Sequence, residues 1–95
     1  MIAEVRWSAR ARREFSEAME YIAEERPMVA RTLRNRLFER IEQLGEHPMR
    51  GRPGPRPGMR ELVLTGTPFL AVYVIRKDGL IILRFLHGRR DRSRS

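Results

Sequence analysis

Ninety-five residues suffice for one hydrophobic core and are too few for two, so a single domain over 1–95 is expected. Cysteine is absent, which excludes disulfides and thiolate metal sites; no apolar run is long enough to span a membrane and the N-terminus lacks a signal-peptide core, so a soluble protein of a reducing cytoplasm is expected. The 20 Lys plus Arg against 12 Asp plus Glu give a formal charge of +8, nearly all of it from arginine, which points either to a polyanion or acidic protein as partner or to a solvated basic surface without one.

Ile2 to Trp7 reads as a strand, with Ala3, Val5 and Trp7 on one face and Glu4 and Arg6 on the other. Ser8 fits a helix N-cap. In the helix that follows, Ala11, Phe15, Ala18, Met19 and Ile22 form one buried stripe, and Glu14, Glu17, Glu20, Glu24 and Glu25 sit among arginines on a solvated charged face. Pro27 breaks this helix and opens a second, in which Ala30, Leu33, Leu37, Ile41 and Leu44 recur at spacings of three and four until Gly45, expected as its C-cap. A helical hairpin results. His47, in the loop before Pro48, carries no assigned role.

Met49 to Gly58, with three prolines and three glycines, predicts an irregular, exposed connection. Its Arg50, Arg52 and Arg56 fit either a basic arm against a partner or a proline-stiffened loop with incidental charge. Three strands then follow as a meander: Arg60 to Leu64, Phe69 to Ile75 and Leu80 to His87, turned at Gly66–Pro68 and Lys77–Gly79. The middle one is apolar at both parities and should be covered on both faces. In the last, unbroken alternation puts Ile81, Leu83, Phe85 and His87 on one face and Leu80, Ile82, Arg84 and Leu86 on the other. The fold class is α+β, β-α-α-β-β-β, with the hairpin packed on one face of a small, mostly antiparallel sheet. The other face stays free, and function is expected there or at its rim.

No phosphate loop, zinc ligand set or nucleophile motif is present. The residues left for chemistry are His87, Arg89, Arg90 and Asp91 at the end of the last strand, with Arg60, Tyr73 and Arg84 on the strands. Such a set can hold a phosphodiester, with Arg stabilising developing charge and His87 moving a proton. It suits a protein-docking surface equally well, since Arg and Tyr are frequent interface anchors. A third reading makes Tyr73 core and pairs Arg84 with Glu61. The residues alone stop at a basic binding patch.

The order of elements, with VRWS before the first helix, LGEHPMRGR from Leu44 to Arg52, the RELVL run, the AVYVI strand and the closing ILRFLHGRRD, resembles the RelE/ParE superfamily of bacterial toxins. The resemblance covers nearly the whole chain. It implies a toxin neutralised by a cognate antitoxin in a hetero-oligomer, acting without metal or other cofactor. RelE-like members are ribosome-dependent mRNA endonucleases, and ParE-like members inhibit DNA gyrase. The ribonuclease pattern places two basic residues two apart on the RELVL strand and an Arg after the first aromatic of the central strand. Here Arg60 fills the first position, but Leu62 and Leu70 stand at the others. Arg90 matches a basic residue of that branch, while Gly88 stands where a YoeB-like ribonuclease has Tyr after its late His. ILRFLHGRRD looks like the ParE ending.

The resemblance therefore favours a ParE-like inhibitor of gyrase that is not itself an enzyme. His87, Arg89 and Arg90 are then its contacts to gyrase or its DNA, and the antitoxin carries an acidic toxin-binding segment. The alternatives are a RelE-like endonuclease using Arg60, His87 and Arg90, and a basic binding module without toxicity.

Overall fold

The computed structural model describes residues 3–89. The element order is β1 (Glu4–Trp7), α1 (Ala9–Glu25), α2 (Pro27–Glu42), a 3-10 turn (Gln43–Gly45), β2 (Arg52–Pro53), β3 (Met59–Val63), β4 (Phe69–Arg76) and β5 (Gly79–His87). The strands form one sheet in the order β1-β5-β4-β3-β2, antiparallel except that β1 runs parallel to β5. Two helices on one face of a mostly antiparallel sheet is the α+β arrangement expected from the apolar periodicities.

Local chemistry explains the elements. Ser8 adopts an extended conformation and its hydroxyl accepts from the Ala11 amide at 3.0 Å, satisfying one of the donors that a helix start leaves open. Ala11, Phe15 and Met19 of α1 meet Leu37 and Ile41 of α2 and Leu44 beyond it in the core. Ala18, Ile22 and Leu33 pack at its margin. Pro27 opens α2, where its missing N–H costs nothing. The end of α2 differs from expectation. Gly45 has no positive φ; the last turn tightens into a 3-10 helix, and the buried Gly45 uses its carbonyl to accept from Ala3 N at 2.7 Å.

β4 is the central strand, and every residue from Phe69 to Val74 is buried. Phe69, Ala71 and Tyr73 face the helices with Leu62 and Leu64, while Leu70, Val72 and Val74 belong to the opposite face. Among the turns, Gly66 takes φ +89 and Gly79 φ +153. Asp78 has no positive φ; Lys77 and Asp78 form the two-residue reversal, and Gly79 already begins β5.

Two further features depart from the sequence reading. The Met49–Gly58 connection is not wholly irregular: Arg52 and Pro53 pair with Glu61 and Arg60 as a fifth strand, and Gly51 is buried. Proline is tolerated there because β2 is an edge strand. In addition, Val72 pairs with Arg84 but Tyr73 pairs with Ile82, so Leu83 is an extra residue, a β-bulge. The bulge resets the alternation of β5. Leu80 and Ile82 join Phe85 in the core, and Ile81 and Leu83 do not.

Candidate target-binding surfaces

Tyr73 and Arg60 are directly opposed on β4 and β3 and face the helix side. Tyr73 is fully buried, and its hydroxyl donates to Pro48 O at 2.6 Å while accepting from Gly51 N at 3.0 Å. Arg60 Nη2 donates to Met49 O at 3.1 Å and also to Gly51 O. These two residues pin the segment leading into β2. A Cβ on Gly51 would lie 2.6 Å from the Tyr73 hydroxyl, so only glycine lets the backbone approach this closely.

Tyr73→Phe should strand the buried Gly51 N–H and the partly buried Pro48 carbonyl and cost about 1–3 kcal/mol. Thermal melting checks this, at about 4–8 °C per kcal/mol. Faster hydrogen exchange at Gly51 N–H is expected alongside, and an unchanged melting temperature would contradict the clamp.

Arg84 reaches Glu14 of α1: its Nε lies 3.0 Å from Oε2 and its Nη2 2.8 Å from the same oxygen. Glu14 Oε1 also accepts from Phe85 N at 3.0 Å. This geometry follows from the topology. β1 accompanies β5 only from Gly79 to Ile82, so beyond that point the start of α1 lies along the strand edge. Ser8 N donates to Ile82 O, Ser8 Oγ donates to Leu83 O, and the Glu14 carboxylate takes the next amide. Glu14 is thus not a solvated charge of the helix surface; its side chain is 20% exposed and closes the end of a sheet.

On the face away from the helices, Arg52, Glu61, Val72 and Arg84 stand in register across β2, β3, β4 and β5. Arg52 donates from Nε and Nη2 to Glu61 Oε1 at 3.2 and 3.1 Å, which keeps this nearly buried carboxylate paired. A groove of about 900 Å³ runs along this face, lined by apolar Val72, Leu83, Leu86 and Met59 and by Arg10, Arg52, Arg56 and Arg84.

His87 points the other way. Its ring stands edge-on to Phe69, with centroids 5.8 Å apart, and borders a cleft of about 730 Å³ between the helices and the Gly66–Phe69 turn, shared with Glu14, Glu17, Tyr21 and Leu33. Arg89 is exposed just past β5, and Arg90 lies outside the described residues.

The candidate residues therefore separate. Arg84 and His87 occupy opposite faces, and Tyr73 lies four residues along β4 from the Phe69 that His87 touches, about 13 Å at the rise of a strand. A single catalytic constellation of Arg60 with His87 is not assembled among the described residues. What the arrangement provides instead is a grooved basic face and a separate tip at His87–Arg89. The sequence reading missed the roles of Arg10, Glu14 and Gly51. No local signal marks them, because Glu14 and Gly51 depend on partners more than 20 residues away and Arg10 joins a groove assembled from distant strands.

A family model described as the ParE toxin of the type II toxin–antitoxin system, parDE, matches residues 5–92. A Sinorhizobium fredii protein, Y4kP, whose name marks it as a candidate toxin, is 35% identical over 87 residues, covering 92% of this chain and 90% of its own. Toxin RelE2 of Caulobacter vibrioides is 33% identical over 90 residues, covering 94% and 99%. Among solved structures, a chain of the chromosomal ParDE toxin–antitoxin system from P. aeruginosa superposes with a TM-score of 0.82 over 90% of this chain and 96% of that one, at 22% identity, and so shares the fold. The sheet order, the helical hairpin and a family match spanning nearly the whole chain lead to one conclusion: the chain belongs to the ParE toxin family of type II toxin–antitoxin systems.

Proposed function

We propose that this toxin arrests growth by blocking DNA gyrase, that His87, Arg89 and Arg90 contribute its contact end, and that an antitoxin with an acidic binding segment holds it inactive. The observation that carries this reading is the burial of Leu62 and Leu70, at 8% and 4% exposure. By resemblance, these are positions where a ribonuclease of the superfamily carries cations. Here one is packed in the core and the other lies within the sheet, while Arg60 is engaged by the Met49 and Gly51 carbonyls. A cation that stabilises a phosphoryl transition state is worth orders of magnitude in rate, so apolar residues at these two positions support the gyrase reading over the ribonuclease one.

The test compares two reactions of the purified, antitoxin-free protein: supercoiling by gyrase and mRNA cleavage on programmed ribosomes. Loss of supercoiling with intact mRNA is expected. The double variant His87→Ala/Arg89→Ala should weaken the block about tenfold, as expected when charged or aromatic interface anchors are truncated, with little change in melting temperature. Codon-phased mRNA cuts with normal supercoiling would replace this reading by the RelE-like one, which the 33% identity to a protein named Toxin RelE2 favours. Normal growth on induction without antitoxin would leave a basic binding module.

A further inference from the structure

The cleft of about 730 Å³ beside the helices has an apolar floor and a fixed wall. Phe69 and Phe85, near-parallel with centroids 5.0 Å apart, form the floor, and Ile22 and Leu33 continue it on the helix side. The facing wall is a pinned turn. Thr67 Oγ1 donates to Leu64 O at 2.7 Å and accepts from Phe69 N at 3.1 Å, while Pro68 O accepts from Gly88 N at 2.7 Å. A concavity of this size is that of a small-molecule site, and with its walls already in place little ordering has to accompany binding.

The charge at its rim has one sign. Although the chain carries +8, no arginine or lysine lines the cleft among the described residues, and its carboxylates are Glu14 and Glu17. Glu14 is already engaged by Arg84 and by the Phe85 amide. Glu17 makes no hydrogen bond or ion pair among the described residues. Tyr21, one turn further along α1, shares its face of the helix and is 69% exposed. A carboxylate and an aromatic ring one turn apart both attract a cation, the first by its charge and the second by the negative face of its π system.

We infer that this cleft is a binding site for a small organic cation with a flat apolar body, an aryl amidinium or aryl ammonium, its charged head between Glu17 and Tyr21 and its ring on Leu33, Ile22 and Phe69. The lining selects this class over the others. An anion would meet Glu14 and Glu17 with no cation in the lining to offset them. A neutral apolar molecule would cover the Glu17 carboxylate without pairing it, at a desolvation cost. A bare hydrated cation would leave the aromatic floor in water. The assignment is independent of the target proposed above, because it rests on the lining of the cleft alone; His87, at its border, serves as a reporter.

The probes are benzamidinium, benzoate with the same ring and the opposite charge, and methylguanidinium with the charge and no ring. Two-dimensional NMR of the full-length chain should show saturable shifts at Tyr21, Thr67 and His87 on titration with benzamidinium, with Arg52 and Arg56 of the opposite face unmoved. Benzoate should produce no saturable shift, and methylguanidinium should bind about tenfold more weakly for want of a buried ring. Glu17→Gln, which keeps the shape and removes the charge, should weaken benzamidinium about fivefold, the scale of an exposed ion pair. Tyr21→Ala should weaken it about threefold, the scale of an exposed cation–π contact. Glu39→Gln, the same loss of a carboxylate on α2 outside the cleft lining, should leave binding unchanged. Thermal melting shows that each variant is folded. Absence of saturation would overturn the assignment. Benzoate binding as well as benzamidinium would reduce the site to a plain apolar cleft, methylguanidinium matching benzamidinium would reduce it to an acidic surface, and equal weakening by Glu17→Gln and Glu39→Gln would trace the attraction to overall charge; each of these also overturns it. Supercoiling and ribosome assays bear on the function separately, so a failed titration with intact gyrase inhibition would reject this site alone.

Discussion

Phe85→Ala should lower the melting temperature by roughly 12–40 °C, from a cost of about 3–5 kcal/mol at about 4–8 °C per kcal/mol. The ring is buried at the junction of helix and sheet, 5.0 Å from Phe15 in an edge-to-face arrangement and 5.0 Å from Phe69 in a near-parallel stack. Removing it deletes contacts on two sides and leaves a cavity between α1 and β4 that rigid neighbours cannot fill. A domain of this size has only about 5–15 kcal/mol of stability in total. The effect should also reach the tip, because His87 rests on Phe69, the ring that Phe85 supports. Circular dichroism melting gives the number directly. A fall below about 5 °C would mean that the aromatic cluster repacks, and that the Phe15–Phe85–Phe69 stack is less central than its geometry implies.

The helical stripes and the three main strands were legible because periodicity is a local signal that burial enforces. Ala11, Phe15 and Met19 had no alternative face once Ser8 capped the helix, and Phe69 to Val74 could only be central because neither parity is polar. β2 was hidden because three prolines and three glycines in ten residues describe a loop, and its strand character comes only from pairing with Glu61 and Arg60. The bulge at Leu83 was hidden for a related reason. Its sequence, LIILRFL, alternates equally well in either register, and the choice is made across the sheet by Val72 and Tyr73.

The candidate site was less legible than the fold. Arg60, Tyr73, Arg84 and His87 lie close together along the chain, yet the sheet sends them to three places. Tyr73 and Arg60 became structural because a proline-rich segment has few N–H donors of its own and needs outside partners for its carbonyls. Arg84 became the partner of the Glu14 carboxylate that closes a strand edge, because β1 is only four residues long and leaves the Phe85 amide to a carboxylate from α1. The basic groove, by contrast, is assembled from α1, the β2 region and β5, and no window of the sequence contains it.

Gly79→Val should be nearly as damaging as the loss of Phe85, for a backbone reason. Gly79 has φ +153 and is paired with Glu4, and an added Cβ would lie 2.3 Å from the Glu4 carbonyl oxygen. The obstructing atom belongs to main chain, so it cannot rotate aside as the end of a side chain would. Relief requires β1 to move away from β5 at the first of its four paired positions, Glu4↔Gly79. Crowding and backbone strain each cost about 1–3 kcal/mol, giving about 2–6 kcal/mol together. The consequence is specific to one edge of the sheet. β1 holds Trp7 against Phe15 and stacks it on Phe38, so loosening it should increase hydrogen exchange in β1 and change Trp7 fluorescence, while the β3–β4 pairing stays protected. Gly66→Val makes the comparison, since Gly66 shares a positive φ but has open space around a Cβ. If the two valines cost the same, conformational strain alone would account for both, and the close approach of β1 to β5 would carry no energetic weight.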